Sequence, residues 1–168
     1  AAAAMVALAA GACRAQPMLV EIAGETGSRP EEVRTVAAFG DWQVTCDGAR
    51  CRMSTWSGAE AGSRRVAVEL TGEPAASGDP IFVFRVPLDL LLTQGAELRP
   101  GRGEPARLAF RSCHAAGCLL PFRLDDRLRD RFRRDAAVGL RLFDLAGAPV
   151  DVELSLRGFS AALSEAGL

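Results

Sequence analysis

Arg111-Ser112-Cys113-His114-Ala115-Ala116-Gly117-Cys118-Leu119-Leu120 sets two thiols on either side of a small, glycine-containing turn, with apolar runs flanking it. An earlier stretch, Trp42-Gln43-Val44-Thr45-Cys46-Asp47-Gly48-Ala49-Arg50-Cys51-Arg52-Met53, repeats the plan: strand-like residues, cysteine, four residues of turn, cysteine, strand. Two hairpins, each closed by a C-x4-C pair, describe an all-β domain stapled at its turns. They describe no reaction.

Outward from these hairpins the pattern stays β. Trp42, Val44 and Cys46 share one face and Gln43 and Thr45 the other, so Cys46 should point inward. Cys51 to Trp56 returns after the Asp47-Gly48 turn. Val66, Val68 and Leu70 alternate with Ala67, Glu69 and Thr71, and Ile81 to Val86 is apolar on nearly both faces, as a central, covered strand would be. Leu90 to Leu92, Ala96 to Arg99 and Ala106 to Ser112 are shorter candidates between glycines and prolines, and Cys118 to Arg123 follows. Leu124, Leu128 and Phe132 recur every four residues among charges, which predicts one short amphipathic helix near 124–135. Val138 to Asp144 and Val150 to Leu156 form the clearest hairpin, joined by Ala146-Gly147-Ala148. Gly158 to Leu168 reads as a final helix whose Phe159, Ala162 and Leu163 can cover an open end of the sheets. Roughly eight or nine short strands with regular turns argue for an antiparallel sandwich or barrel.

The 168-residue chain has room for one domain with a core, plus a leader or tail. Its net charge of −1 gives no whole-protein attraction to nucleic acid or to anionic membranes. The compartment decides what five cysteines and one histidine mean: a metal site in a reducing cytosol, disulfides in an oxidising one. Residues 1–12 (AAAAMVALAAGA) form an uncharged apolar run too short to cross a bilayer, but fitting the apolar part and cleavage region of a secretory signal that lacks its start. We assign residues 1–15 to this signal, with cleavage after Ala12 or Ala15, and residues 16–38 to a linker with a helical turn after Pro30. The rival reading is an Ala-rich helix. Cys13 stands where a lipoprotein cysteine would, but Ala10-Gly11-Ala12 lacks a large aliphatic residue three positions upstream. With cleavage after Ala15, the reading preferred over lipidation at Cys13, Cys13 leaves with the leader and four cysteines remain in a periplasmic or cell-surface protein.

Four cysteines permit three pairings, and the local one, Cys46 with Cys51 and Cys113 with Cys118, is preferred; each bridge closes a short loop and stabilises by only about 2 kcal/mol. A four-cysteine zinc site fits the spacing but not export. A redox dithiol usually has two intervening residues. His114 lies between two bridge cysteines with no nucleophile or orienting acid suggested around it, so it reads as an exposed turn residue and no catalytic residue is assigned. A metal- or thiol-dependent envelope enzyme using Cys113, His114 and Cys118 is the alternative function.

Arg127, Arg131 and Arg134 form a candidate anion-contact surface, with membrane contact not favoured, because interleaved aspartates predict pairs at i,i+4 such as Asp130 with Arg134. No metal ligands, cofactor fingerprint or phosphate loop are found, and the absence of tyrosine weakens carbohydrate-stacking or base-stacking proposals.

Taken in order, Phe39-Gly40-Asp41-Trp42-Gln43-Val44-Thr45-Cys46, then Val86-Pro87-Leu88-Asp89-Leu90-Leu91-Leu92 with Gly95, then Cys113-x4-Cys118, then Leu154-Ser155-Leu156-Arg157-Gly158-Phe159-Ser160-Ala161-Ala162-Leu163 resemble the invasion-associated locus B family of exported bacterial proteins. The resemblance runs from about residue 39 to 164, with Asp89 standing where the family's glycine is expected. It implies an immunoglobulin-like antiparallel β-sandwich over 39–168, a periplasmic or cell-surface location, and a name derived from host-cell invasion; it implies no active site. The function expected is that of a non-catalytic interaction protein for an envelope or host protein.

Overall fold

A computed structural model describes residues 34–61, 64–101 and 103–168. The signal reading of 1–15, Cys13 and the linker up to residue 33 lie outside the described residues. Eleven strands and two helices follow: β1 (Arg34–Phe39), β2 (Trp42–Asp47), β3 (Arg50–Ala61), β4 (Arg64–Glu73), β5 (Ile81–Val86), β6 (Ala96–Pro100), β7 (Ala106–Leu108), β8 (Ser112–His114), β9 (Gly117–Arg123), α1 (Asp126–Arg134), β10 (Ala137–Phe143), β11 (Pro149–Ser155) and α2 (Phe159–Glu165). Every ladder is antiparallel. The larger sheet runs β1-β2-β3-β4-β5-β9-β8 and the smaller β11-β10-β6-β7, the all-β sandwich with two helices that the alternation predicts.

Both sheets obey the period-two rule. In the larger sheet the cross-strand row Thr55, Leu70, Phe84 and Leu120 is buried throughout, and the next row, Trp56, Glu69, Arg85 and Leu119, faces the other way. In the smaller sheet Val138, Leu140, Leu142, Val150, Val152 and Leu154 turn inward. α2 closes one end of this core by burying Phe159, Ala162 and Leu163. α1 adds Phe132, and Phe159 links the two helices to Trp42 through ring contacts of 5.4 Å to each neighbour.

Both C-x4-C hairpins turn through two residues, Gly48-Ala49 and Ala115-Ala116, which pairs Asp47 with Arg50 and His114 with Gly117. The next position along each hairpin is then a non-hydrogen-bonded pair, where side chains come closest. The cysteines occupy it in both, at a Cα–Cα distance of 4.0 Å, joined as Cys46–Cys51 and Cys113–Cys118. The spacing of five residues is thus what a two-residue turn needs for a local bridge.

Several boundaries differ from expectation. Residues 34–38, read as the end of a linker, form most of β1, which pairs with the next strand, β2, across the two-residue turn Gly40-Asp41. Leu90 to Leu92 makes only an isolated bridge from Leu90 to Asp144 before a 3-10 turn at Leu92–Gln94, and Ala106 to Ser112 is two strands, one in each sheet. Asp89 has φ 63°, the one left-handed non-glycine among the described residues, which accounts for the family's glycine at this place.

Candidate interaction surface

Two of the motifs meet at one end of the sandwich. The turn Gly40-Asp41 between β1 and β2 lies against Arg157-Gly158, where β11 passes into α2. The Asp41 N–H donates to the Arg157 carbonyl at 3.0 Å, and the Trp42 indole N–H donates to the Ser155 carbonyl at 3.1 Å. Buried Thr55 donates its hydroxyl to the Asp41 carbonyl at 2.7 Å. Both glycines are required by closeness as well as by backbone: a Cβ on Gly40 (φ 56°) would sit 2.5 Å from the Arg157 carbonyl oxygen, and one on Gly158 (φ 91°) would overlap the Phe39 carbonyl.

Across this junction Arg157 grips the Asp41 carboxylate with two hydrogen bonds, Nη2 to Oδ1 at 2.7 Å and Nε to Oδ2 at 3.2 Å. The Arg157 hydrogen bond, followed by one from Ser155, holds the Asp41 carboxyl below the usual aspartate range. The same chemistry recurs on the smaller sheet, where Arg141 holds Asp151 below its ordinary value through two bonds of 2.7 Å.

Beside the junction stands Trp56, 62% exposed. It divides two clefts. One, of about 500 Å³, is lined by Gln43, Ser57, Glu153 and Ser155 together with the junction backbone. The other, of about 650 Å³, lies over Gly58, Ala67 and Pro87 with Arg65 and Arg85 at its rim, and Arg85 pairs with Glu69 at 3.4 Å. An exposed tryptophan ringed by small residues and by charges of both signs is the anatomy of a protein contact: an aromatic centre with a polar rim.

The predicted residues fall elsewhere. The Cys46–Cys51 and Cys113–Cys118 bridges lie in separate hairpins of the larger sheet and form no common centre. His114 is exposed, and its Nδ1 accepts from the Ala116 N–H at 3.4 Å within its own turn. Arg127 and Arg134 are exposed and Arg131 is half-buried on α1. The expected i,i+4 ion pairs of that helix are a correction: among the described residues Asp130 and Arg134 form none. The aspartates at the ends serve backbone amides instead, Asp125 as N-cap to Leu128 at 2.7 Å and Asp135 to the Gly101 N–H at 3.0 Å. Trp56 went unmarked in the sequence, although its signal was there. Once Met53 faces inward, period two turns Trp56 out.

Among the described residues no helix is long and apolar enough to cross a membrane, and no group of three or more His, Cys, Asp or Glu side chains is placed to hold a metal. The two disulfides fit a compartment outside the reducing cytoplasm.

No curated protein matches the chain. Among solved structures it is similar to the crystal structure of invasion associated protein B from Bartonella henselae, with a TM-score of 0.66 and 23% identity, over 77% of this chain and 94% of that one. That likeness concerns the fold. The family model described as invasion associated locus B (IalB) protein matches residues 42–167, and over that span the motifs at 42–46, 86–95, 113–118 and 154–163 occupy the strands, turns and helix just described. The chain is therefore a member of the invasion associated locus B family.

Proposed function

We propose that this protein is exported to the periplasm or cell surface and acts without catalysis, by binding an envelope or host protein on the outer face of the larger sheet around Trp56. The observation that carries the reading is Trp56 itself, 62% exposed between two clefts on a face whose inner counterpart is fully buried. A large aromatic side chain left in water at that position costs apolar hydration, and a partner's apolar anchor between Trp56 and Pro87 would relieve it. Membership of the family supports a link to invasion. The rival, an enzyme using Cys113, His114 and Cys118, needs a free thiolate as nucleophile or ligand, and the two sulfurs are bonded to each other. The mixed charges around Trp56 favour a protein over a polyanion; the α1 arginines remain the region for any anion contact.

The test is crosslinking in cells followed by capture of the wild-type protein and of Trp56→Ala. The expected result is a discrete partner on the wild type, lost from the variant while thermal unfolding is unchanged. Equal capture by both proteins, or no partner above background across several growth conditions, removes the proposal.

A further inference from the structure

The opposite end of the smaller sheet carries a second feature that the Trp56 reading does not use. β7 is only three residues long and is the outer strand of its sheet; the chain leaves it at Leu108, crosses through 109–111 and enters β8, the outer strand of the other sheet. Along that crossing, between it and the 92–95 turn, lies a surface cleft of about 520 Å³, a size ordinary for small-ligand sites. Its apolar lining is Leu92, which is 42% exposed, with Leu108, Phe110 and the Cys113 side of the disulfide, and Thr93, Gln94 and Ser112 add neutral polar groups. The charged side chains that line it are Arg107 and Arg111. Both are exposed, and neither forms an ion pair among the described residues, although Glu97 lies directly across the ladder from Arg107. Arg111 is fixed in place by its backbone N–H, which donates to the Leu119 carbonyl at 2.8 Å.

We infer that this cleft binds an amphiphile with one slender apolar chain and an anionic head. The chain displaces water from the leucine, phenylalanine and cystine walls, and a carboxylate, sulfate or phosphate head takes charge-assisted hydrogen bonds from the two guanidinium groups at the mouth. Apolar walls with cations alone among their charges exclude a cationic amphiphile and disfavour a neutral one. The ligand has two sources, free in the envelope or within a bilayer, and both present the same chemistry.

Calorimetric titration with dodecanoate, below the concentration at which it forms micelles, tests the inference. The expected result is saturable binding that weakens at least about tenfold in Arg107→Ala/Arg111→Ala, the effect of losing a charge-assisted hydrogen bond. It should vanish in Ala109→Trp, a change at an exposed position that fills the cleft and leaves the unfolding midpoint unaltered. Dodecyltrimethylammonium should not bind. Co-sedimentation with phosphatidylcholine vesicles, with and without phosphatidylglycerol, then separates the sources: Arg-dependent binding to the anionic vesicles assigns the bilayer, and dodecanoate binding alone assigns the free amphiphile. Absence of saturable dodecanoate binding, binding that both variants retain, or equal binding of the cationic amphiphile overturns the inference. So does a dimer in sedimentation that Ala109→Trp dissociates, because the cleft would then be filled by a second copy.

Discussion

At the Ala137/Ser155 end of the β10–β11 hairpin, groups 113 and 116 positions apart interlock, Trp42 with Ser155 and Asp41 with Arg157, and α2 seals the core behind them; towards the Phe143/Pro149 end lies a cleft flanked by a short edge strand and a local disulfide. The first end is closed by contacts that no segment can make alone. The second is joined by backbone contacts, the Leu90–Asp144 bridge and the Leu91 N–H to the Phe143 carbonyl at 2.9 Å, beside a hairpin bridged within itself. The difference teaches where rigidity is needed: the closed end fixes the register of both sheets, and an end not needed for closure is free to stay open and be used. Neither cystine lies at the closed end, since β2 carries Cys46 away from the Asp41 junction; Cys46 and Cys51 are half-buried, while Cys113 is exposed on the three-residue β8 and its partner Cys118 is buried.

The comparison breaks most severely if the closed end proves dispensable. Trp42→Ala removes a fully buried indole that touches Phe82 and Phe159, and should cost about 3–5 kcal/mol in urea unfolding. A loss below about 1 kcal/mol would mean that the two ends are equally loose. Gly158→Ala follows, with a loss of more than about 2 kcal/mol, since it adds left-handed strain to an overlap with the Phe39 carbonyl. A native-like midpoint would show that the junction yields easily.

At the open end, Cys113→Ala with Cys118→Ala should cost about 2 kcal/mol. Hydrogen exchange sharpens this, because it should rise at 112–114 and leave the Asp41 amide protected. Rapid exchange at both ends would show that the ends are one cooperative unit.

The smallest effect is the pH dependence of the junction. Arg157 lowers the folded pKa of Asp41, so the ion pair contributes stability above the ordinary aspartate value and loses it as pH falls through the lowered one. Asp41→Asn should therefore be less stable than wild type at neutral pH and should match it in strong acid. The side chains are exposed, which keeps the gap small, and a gap that persists in acid would assign the effect to packing.

Much of this fold was legible as local pattern. The faces of β2, β4 and β10 follow from alternation, α1 from the spacing of Leu124, Leu128 and Phe132, and the C-x4-C spacing favoured both local bridges, while the two-residue turns that bring the cysteines opposite each other came from the structure. β1 was not legible, because its reason to be a strand is the edge of β2, and β7 and β8 could not be divided, because an apolar run does not say when the chain changes sheets. The arginines on α1 stand out as a run of charge, yet Arg65, Arg85, Arg107 and Arg111, which nothing in the run of sequence sets apart, are the ones that line the clefts beside Trp56 and Cys113.

By itself, then, the sequence determined the alternation of buried and exposed residues, the helices and the family, and favoured the local cysteine pairs among three pairings, since each depends on residues within one turn or strand or on motifs in order. Only the tertiary structure decided that Gly40 and Gly158 serve one junction, that Trp56 stands between two clefts, and that a cleft lies beside Cys113. These are distances between segments far apart in the chain, set when two sheets pack and twist against each other, and no local pattern encodes them.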